Sequence, residues 1–217
     1  MTSYAQPRRL AACALLLFTL AAHAADPATV QQLSNTVLKR TAWINEAAAC
    51  PAELMQAQPA RSTPEDKTCY ENPSAACLAR CESGVADACY WLGQGLQRAH
   101  AIELVSETLF QRSCKLGNPS GCTNHAAYIM PDKGQDPKAA DCSLHTFEKT
   151  CAQDDPWGCT MLGDHLVHGI GTAPDPQRAL RVMSRSCRQG EDDPACAAAK
   201  DLRAEAQAQL KGAAPKK

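Results

Sequence analysis

The chain has 217 residues and a formal net charge of −1 at pH 7, and only 5% of its residues are aromatic. This length suits one domain or one repeat array. The balanced charge leaves no basic surplus, which argues against a nucleic-acid partner or an anionic lipid surface.

The first 24 residues have the three parts of an export signal. Two arginines precede an apolar run over residues 10–20, which is too short to span a bilayer, and Ala-His-Ala at residues 22–24 fits a signal-peptidase site. We predict cleavage after Ala24 and a mature chain that is periplasmic or secreted. The alternative is a lipoprotein processed at Cys13, but here the apolar run follows the cysteine instead of preceding it.

Cysteine content is the strongest compositional signal. The chain has 13 cysteines, and the even number that remains after loss of Cys13 predicts a disulfide framework in an oxidising compartment. A zinc site would need cysteine or histidine ligands in close pairs. The nearest approach to such a pair is Cys77-Leu-Ala-Arg-Cys81. We therefore predict neither a bound metal nor a cofactor.

Residues 25–68 precede the regular part of the chain. Apolar residues at a helical period predict one amphipathic helix from Pro27 to Ala48, with Val30, Leu33, Val37 and Ile44 close to one stripe. A Pro-containing loop follows over residues 51–68, and a short helix from Ala52 to Ala57 is an option within it. No later stretch is apolar enough to cross a membrane.

From residue 69 onward the sequence repeats itself. A helical pattern follows the second cysteine of each of four pairs, whose first members are 33, 37 and 36 residues apart: Cys81 and Cys89, Cys114 and Cys122, Cys151 and Cys159, and Cys187 and Cys196. Leu92-Gly93 and Leu162-Gly163 occupy the same two places after their cysteines. His125-Ala126 occupies those places in the unit between them, and so departs from the pattern.

Each unit is predicted to be a helical hairpin. Asn118-Pro119, Asp155-Pro156 and Asp193-Pro194 fit helix starts, and Gly169 fits a helix end that needs left-handed backbone. Gly163 would allow a neighbouring helix to approach closely. Each cysteine pair lies across the junction of two helices, where a bridge would stabilise the corner by about 2–3 kcal/mol. The sequence therefore predicts an all-α array of antiparallel helix pairs.

Four cysteines lie outside those pairs: Cys50, Cys69, Cys77 and Cys142. The segment from Cys69 to Cys77 repeats the eight-residue spacing and the Asn-Pro-Ser of the Cys114 unit, which favours a Cys69–Cys77 bridge. A bridge from Cys50 to Cys69 or to Cys77 is the alternative, because four cysteines allow three pairings. Cys142 has no partner in the pattern and is either bridged to an N-terminal cysteine or an inert, half-buried thiol.

Three stretches carry a resemblance to a known family: Ala-Cys89-x-x-Leu92-Gly93, Cys159-x-x-Leu162-Gly163-x-x-Leu166-x-x-Gly169-x-Gly171-x-x-x-Asp175-x-x-x-Ala179-Leu180, and Met183-x-x-x-Cys187. They resemble the Sel-1-like repeats, relatives of the tetratricopeptide solenoids. The cysteine spacing is similar to the secreted, disulfide-bridged branch, the Helicobacter-type cysteine-rich proteins. The resemblance covers residues 69–205. It implies an α/α solenoid with a capping helix after Cys196 and a concave groove that binds a protein or peptide.

The chain is thus expected to have four parts. These are a cleaved signal peptide (1–24), an N-terminal helix and loop (25–68), a repeat array with its capping helix (69–210) and a disordered tail (211–217). Among the large aromatic residues, Trp91, Tyr128 and Trp157 are the predicted groove contacts.

Catalytic and metal-binding motifs are weak or missing. Some members of the bridged branch are described as binding or weakly hydrolysing β-lactams, but that chemistry needs Ser-x-x-Lys, which the chain lacks. His165 and His168 stand three apart on a predicted helix and could hold a metal. Because Leu162 and Leu166 define the buried face, we expect both histidines to flank it or to face solvent.

We therefore predict a non-enzymatic scaffold, with no catalytic residue, that binds a protein or peptide in the cell envelope or outside the cell. Two alternatives differ in class. One is a protein that binds or weakly hydrolyses β-lactams, as the family resemblance implies. The other is a thiol-dependent envelope assembly factor, which would require free thiols.

Overall fold

The computed structural model describes residues 25–130 and 136–213. The predicted signal peptide, most of the turn after Met130 and residues 214–217 lie outside these ranges. The described residues form twelve α-helices: α1 Pro27–Leu38, α2 Thr41–Ala47, α3 Pro51–Leu54, α4 Thr68–Glu71, α5 Ala75–Glu82, α6 Ala86–Arg98, α7 Glu103–Lys115, α8 Pro119–Ile129, α9 Pro137–Ala152, α10 Pro156–His168, α11 Pro176–Met183 and α12 Pro194–Ala213. A 3₁₀ turn, Pro64–Lys67, precedes α4. The predicted all-α class is confirmed.

Helices α5 to α12 form a row of antiparallel pairs. Each helix in this row packs against the next one along the chain, and α10 also packs against α8 and α12. This arrangement agrees with the predicted solenoid of helical hairpins. Among the described residues, no helix is both long and apolar enough to cross a bilayer.

Local signals at the hairpin junctions act as predicted. The side chains of Asn118 and Asp155 accept hydrogen bonds from Gly121 N and Gly158 N, so they cap α8 and α10. Asp155 also accepts from the hydroxyls of Ser120 and Thr123, which joins the start of α10 to α8. The cap of one helix therefore fixes the position of the preceding hairpin.

Glycines permit close packing and sharp ends in the array. A Cβ on Gly163 would collide with the Met183 side chain, so its absence allows α11 to approach α10 closely, as predicted. Gly169 ends α10 with φ 71° and ψ 34°, the left-handed conformation expected from the sequence. The buried apolar core of the array lies between the paired helices and is extended by Val30, Leu33 and Val37 of α1.

The N-terminal segment differs from its prediction. The expected helix from Pro27 to Ala48 is broken at residues 39–40, and α2 has no buried residue. Arg40 has φ −84° and ψ 69°, and its side chain is paired with Glu82 of α5. This break turns α2 onto α7. A tertiary contact thus overrides the local helical pattern.

Two other boundaries also moved. The expected helix from Ala52 to Ala57 is the shorter α3, which starts at Pro51 because proline is favoured in a first helical turn. At the other end, α12 continues to Ala213, three residues beyond the predicted limit of the array.

Six disulfides join the twelve cysteines of the described residues. Five of them span eight or nine residues: Cys69–Cys77, Cys81–Cys89, Cys114–Cys122, Cys151–Cys159 and Cys187–Cys196. The sixth joins Cys50 to Cys142 across 92 residues. The alternative pairing of Cys50 with Cys69 or Cys77 is therefore wrong, as is a free thiol at Cys142.

Candidate polypeptide-binding site

Residues 41–63, here called the strap, lie across one side of the array. The strap begins with α2, which packs on α7. It continues through α3, which contacts α7, α8 and α9. Its last residues return past α7 to the start of α6. The array therefore holds a stretch of polypeptide that is not one of its own hairpins.

The side chain of Gln111, on α7, binds main-chain carbonyl groups at the end of α2. Its side-chain nitrogen Nε2 donates to the carbonyl oxygens of Glu46, at 3.0 Å, and Ala49, at 3.1 Å. The last carbonyls of a helix have no partner within the helix, so they need an outside donor. Gln111 is fully buried. A polar side chain at a core position is thus used to satisfy the strap.

His125 of α8 provides the next contact. Its Nε2 lies 2.9 Å from the carbonyl oxygen of Ala47. Burial lowers the pKa of His125 to about 4, so the ring is neutral at neutral pH. Because a carbonyl oxygen only accepts, Nε2 carries the proton of the neutral ring. His125 stands where the neighbouring units have Leu92 and Leu162, and the strap explains this departure from the repeat.

Helix α9 holds the strap in two ways. Cys142 forms the disulfide to Cys50, and two side chains one and two turns further along bind Ala52. The hydroxyl of Thr146 accepts from Ala52 N at 3.2 Å, and Lys149 Nζ donates to Ala52 O at 2.8 Å. The Thr146 hydroxyl donates its own proton to Cys142 O. Both main-chain groups of one strap residue are therefore bound by α9.

Amide side chains hold the strap beyond α3. Gln153, at the end of α9, donates from Nε2 to the carbonyl oxygen of Gln56 at 2.9 Å. Gln56 in turn donates from its own Nε2 to Lys115 O, at the end of α7. This residue of the strap is thereby tied to two helices at once.

The end of the strap contacts two helix junctions, one between α7 and α8 and one at the start of α6. Ala60 N donates to Gly117 O at 2.8 Å. A Cβ on Gly117 would lie 3.1 Å from Ala60 N, and its φ of 101° also favours glycine. Further on, the carboxylate of Asp87 accepts from Thr63 N at 2.7 Å and from Asn118 Nδ2 at 2.7 Å.

Charged and aromatic side chains add contacts at the start of the strap. Glu46 Oε1 is 2.5 Å from Lys115 Nζ, and Glu46 Oε2 is 3.7 Å from Arg112 Nη1. The Arg112 guanidinium also lies 5.1 Å from the centre of the Trp43 ring, within cation–π range. These contacts depend on which side chains the strap has, unlike the contacts with its main chain.

Most hydrogen bonds between array and strap reach main-chain atoms of the strap. Gln111, His125, Lys149 and Gln153 donate to its carbonyl oxygens, and Thr146, among others, accepts from its N–H groups. Main-chain groups are present in every polypeptide, so these hydrogen bonds recognise a segment with the same short helical turns largely independently of its sequence.

The predicted groove residues lie elsewhere. Trp91 contacts Tyr70 and Tyr90, with ring centres 6.3 and 4.8 Å away. Tyr128 stacks on Phe110 and belongs to the same aromatic cluster through it. Trp157 is 41% exposed at the start of α10. Within the described residues, no hydrogen bond joins any of the three predicted residues to the strap. As ligand contacts they remain predictions.

The two histidines of α10 do not share one environment. His165 is fully buried, with Nε2 3.0 Å from the Ser143 hydroxyl, so the expectation that it would flank the core or face solvent is wrong. The cause is α9, which covers that side of α10 as well as the leucine face. His168 is exposed and lies near Asp164 and Glu205.

One described group brings three potential metal ligands together. Atoms of Cys187, Glu191 and Cys196 lie within 4.8 Å of one another. The two sulfurs are bonded to each other in a disulfide, so they cannot act as thiolate ligands. The geometry of this group is that of a hairpin bridge beside a carboxylate.

No protein-family model, curated protein or solved structure matches this chain. Its function must therefore be inferred from its own residues. The strap and the residues that hold it were not foreseen as a site. Two sequence signals pointed towards them, namely the histidine in place of leucine at position 125 and the cysteine without a pattern partner at position 142.

Proposed function

We propose that this chain is a non-enzymatic binding protein that holds a segment of polypeptide with short helical turns across α7, α8 and α9. The observation that carries the proposal is the strap itself, whose main chain is bound by side chains of all three helices. A surface that satisfies the N–H and carbonyl groups of one polypeptide can satisfy those of another. In this view the strap is the resident ligand of the site.

Rigidity of the array favours this function. Gln111, His125 and Thr146 are buried side chains on helices that are braced by hairpin disulfides. They are already ordered before a ligand arrives, so binding orders the ligand but few protein side chains. We include in the proposal that the array is of the Sel-1-like type, whose relatives bind proteins or peptides in a groove.

The disulfides indicate where the protein works. Six disulfides in a chain of this size are typical of an oxidising environment outside the cytoplasm. Together with the predicted signal peptide they support a periplasmic or secreted protein. The partner would then be a protein or peptide of the envelope or the extracellular space.

Binding in trans tests the proposal. The substitutions Cys50→Ser, Ala52→Arg and Cys142→Ser in the full mature chain would displace the strap, because the buried Ala52 site has no room for an arginine. A fluorescent peptide of residues 43–60, with serine at position 50, is then titrated and its anisotropy followed. Helix content by circular dichroism shows whether the array of the variant remains folded.

We expect saturable binding of this peptide to the variant chain. The matched control is the same peptide with Ala52→Arg, which we expect to bind about tenfold more weakly, since it cannot form the two main-chain hydrogen bonds to α9. Adding Gln111→Leu to the strap-displaced variant should weaken its binding of the peptide that keeps Ala52 by a similar factor. Equal affinity for both peptides, or no saturable binding, would contradict the proposed function.

A further inference from the structure

We propose that the Cys50–Cys142 disulfide is a redox switch that keeps the strap in the polypeptide-binding site until a dithiol reductant opens it. The inference rests on the proposed function, because it treats the strap as an occupant that another polypeptide can replace. Three observations support it: the exposure of this bridge, its place in the fold and the weak packing of the strap.

Exposure on both sides distinguishes the Cys50–Cys142 bridge from the other five. Both of its cysteines are partly exposed, whereas every other bridge in the described residues has at least one buried cysteine and four have two. Thiol–disulfide exchange requires a thiolate to reach a sulfur along the bond, so its rate depends on access. A reductant of protein size can therefore attack this bridge before the others.

The place of the bridge makes its cleavage consequential. A hairpin bridge such as Cys151–Cys159 joins two helices that pack against each other along their length, so they stay together when it opens. Cys50–Cys142 instead joins the strap to α9. Its cleavage leaves the strap attached there through hydrogen bonds and the small buried surface of Pro51 and Ala52.

The strap packs less tightly than the hairpins do. Trp43 of α2 packs against the core, but α2 has no fully buried residue and α3 is a single turn. Segments with few buried apolar contacts open at lower free energy than the rest of a protein. Once the bridge is cleaved, we expect the strap to leave the site far more often than the hairpins open.

The opening reaction needs only the dithiol as reductant and the protein disulfide as oxidant. One thiolate of the dithiol attacks a sulfur of the bridge, forms a mixed disulfide and expels the other cysteine as a thiolate, which takes up a proton. The second thiol of the reductant then attacks the mixed disulfide and releases the remaining cysteine. The protein bridge is reduced to two thiols, and the dithiol is oxidised to a disulfide. Exchange of the two protein thiols with an oxidised dithiol (a disulfide), which is itself reduced, closes the strap again.

Opening exchanges one polypeptide for another at the same groups. In the oxidised protein Gln111, His125 and Thr146 are bound to the strap. In the reduced protein they become available to a segment of a partner with similar short helical turns. The disulfide holds the middle of the strap at the site and raises its effective concentration there above the value set by the two main-chain ends alone, so an external ligand competes less well before the bridge is cleaved than after it.

Graded reduction of the wild-type mature chain tests the switch. The oxidised protein is exposed to increasing dithiothreitol for one fixed short time, free thiols are then alkylated, and each bridge is followed by peptide mass spectrometry. Hydrogen exchange over residues 41–63 and anisotropy of the labelled 43–60 peptide are measured at each step. The variant Cys69→Ser/Cys77→Ser is the control, since it lacks one short bridge but keeps the strap bridge.

We expect Cys50–Cys142 to open at a dithiothreitol concentration about tenfold below that of any other bridge. Strap amides should then exchange about tenfold faster, while those of α10 stay protected, and peptide binding should begin at the same step. The control should keep its strap protected when oxidised. Earlier reduction of another bridge, or a strap that stays protected after its own bridge opens, would refute the switch.

The two proposals fail in different ways. If the strap-displaced chain with Cys50→Ser, Ala52→Arg and Cys142→Ser binds the peptide but reduction leaves the wild-type strap in place, the binding function stands and the switch is wrong. If reduction frees the strap but neither protein binds the peptide, the binding function is wrong. The regulatory role of the bridge would then be wrong with it.

Discussion

The hairpin array and the strap are held by the same kinds of bond arranged in opposite ways. In the array, helices bury apolar side chains against their neighbours, and each short disulfide joins elements that already pack together. The strap buries little, and its polar main chain is satisfied by side chains of the array. A disulfide is therefore a reinforcement in one region and the principal attachment in the other.

The largest expected loss of stability comes from removing the bridge that closes the longest loop. In the chain-entropy treatment, a bridge across 92 residues stabilises the fold by about 4.6 kcal/mol, and one across eight residues by about 2.5 kcal/mol. We expect Cys50→Ala/Cys142→Ala to lower the free energy of unfolding by nearly twice as much as Cys69→Ala/Cys77→Ala. Guanidinium melts of the two double variants, with the other five bridges intact, provide the measurement. The reverse order would show that packing, not loop length, sets the contribution.

A pH effect of about 3 kcal/mol follows from the buried imidazole that holds the strap. His125 has a pKa of about 4 when folded, against the ordinary value of 6.5, so the unfolded chain binds a proton at higher pH than the folded one. The stability it supports is complete above pH 6.5 and is lost as the pH falls towards 4.

The variant His125→Leu, which restores the residue type of the neighbouring units, should lack this dependence. Urea melts of both proteins from pH 7 to pH 4 give the difference in unfolding free energy, from which the titration of other groups largely cancels. Parallel pH profiles for the two proteins would show that His125 does not carry the effect.

A loss of about 2 kcal/mol is expected from Gln111→Leu, since two hydrogen bonds to the strap are lost, although Glu46 O keeps the one from Ala49 N. Gln97→Leu is the matched control, because that glutamine is exposed and donates to Tyr128 away from the strap. The control should change stability by less than about 0.5 kcal/mol. Chemical denaturation measures both, and hydrogen exchange of α2 amides shows whether the loss is local to the strap. Equal losses of stability in the two variants would show that Gln111 does not stabilise the strap specifically.

The smallest effect, about 1 kcal/mol, is expected from Lys149→Met, which removes one hydrogen bond to Ala52 O while keeping the aliphatic part of the side chain. Water can partly replace the donor because this lysine is exposed. Lys138→Met on the same helix is the control, and its side chain makes no hydrogen bond within the described residues. The two variants should differ in strap hydrogen exchange; identical exchange would discount the contribution of Lys149.

The array could be predicted because its information is local. Cysteine spacing, the proline and glycine positions at helix ends and the small residue at Gly163 each act within one hairpin or between neighbours. The strap could not, because most of its contacts join residues about 60 to 97 positions apart and its own sequence has weak periodicity. The break at residues 39–40 likewise accompanies the packing of α2 on α7, which no local pattern contains.

Part of the site was nonetheless visible as exceptions to the repeat. A histidine at a leucine position and a cysteine without a partner marked two of the helices on which the strap lies. Nothing in the sequence showed that both residues contact the same segment. The groove residues predicted from aromatic content belong to a separate cluster around Phe110. Their role in binding remains a prediction that the strap neither supports nor opposes.

The short distance between two anchors of the strap restricts how this architecture can change. Ala47 is bound to α8 and Cys50 to α9, and the three residue steps from one to the other can extend over only about 10 Å. Insertion of another hairpin between these helices would separate the anchors by about another helix spacing, more than the segment can cover. Repeat arrays ordinarily lengthen by duplicating a unit anywhere along the row. Here the strap prevents such growth between α8 and α9, so these two helices must stay neighbours.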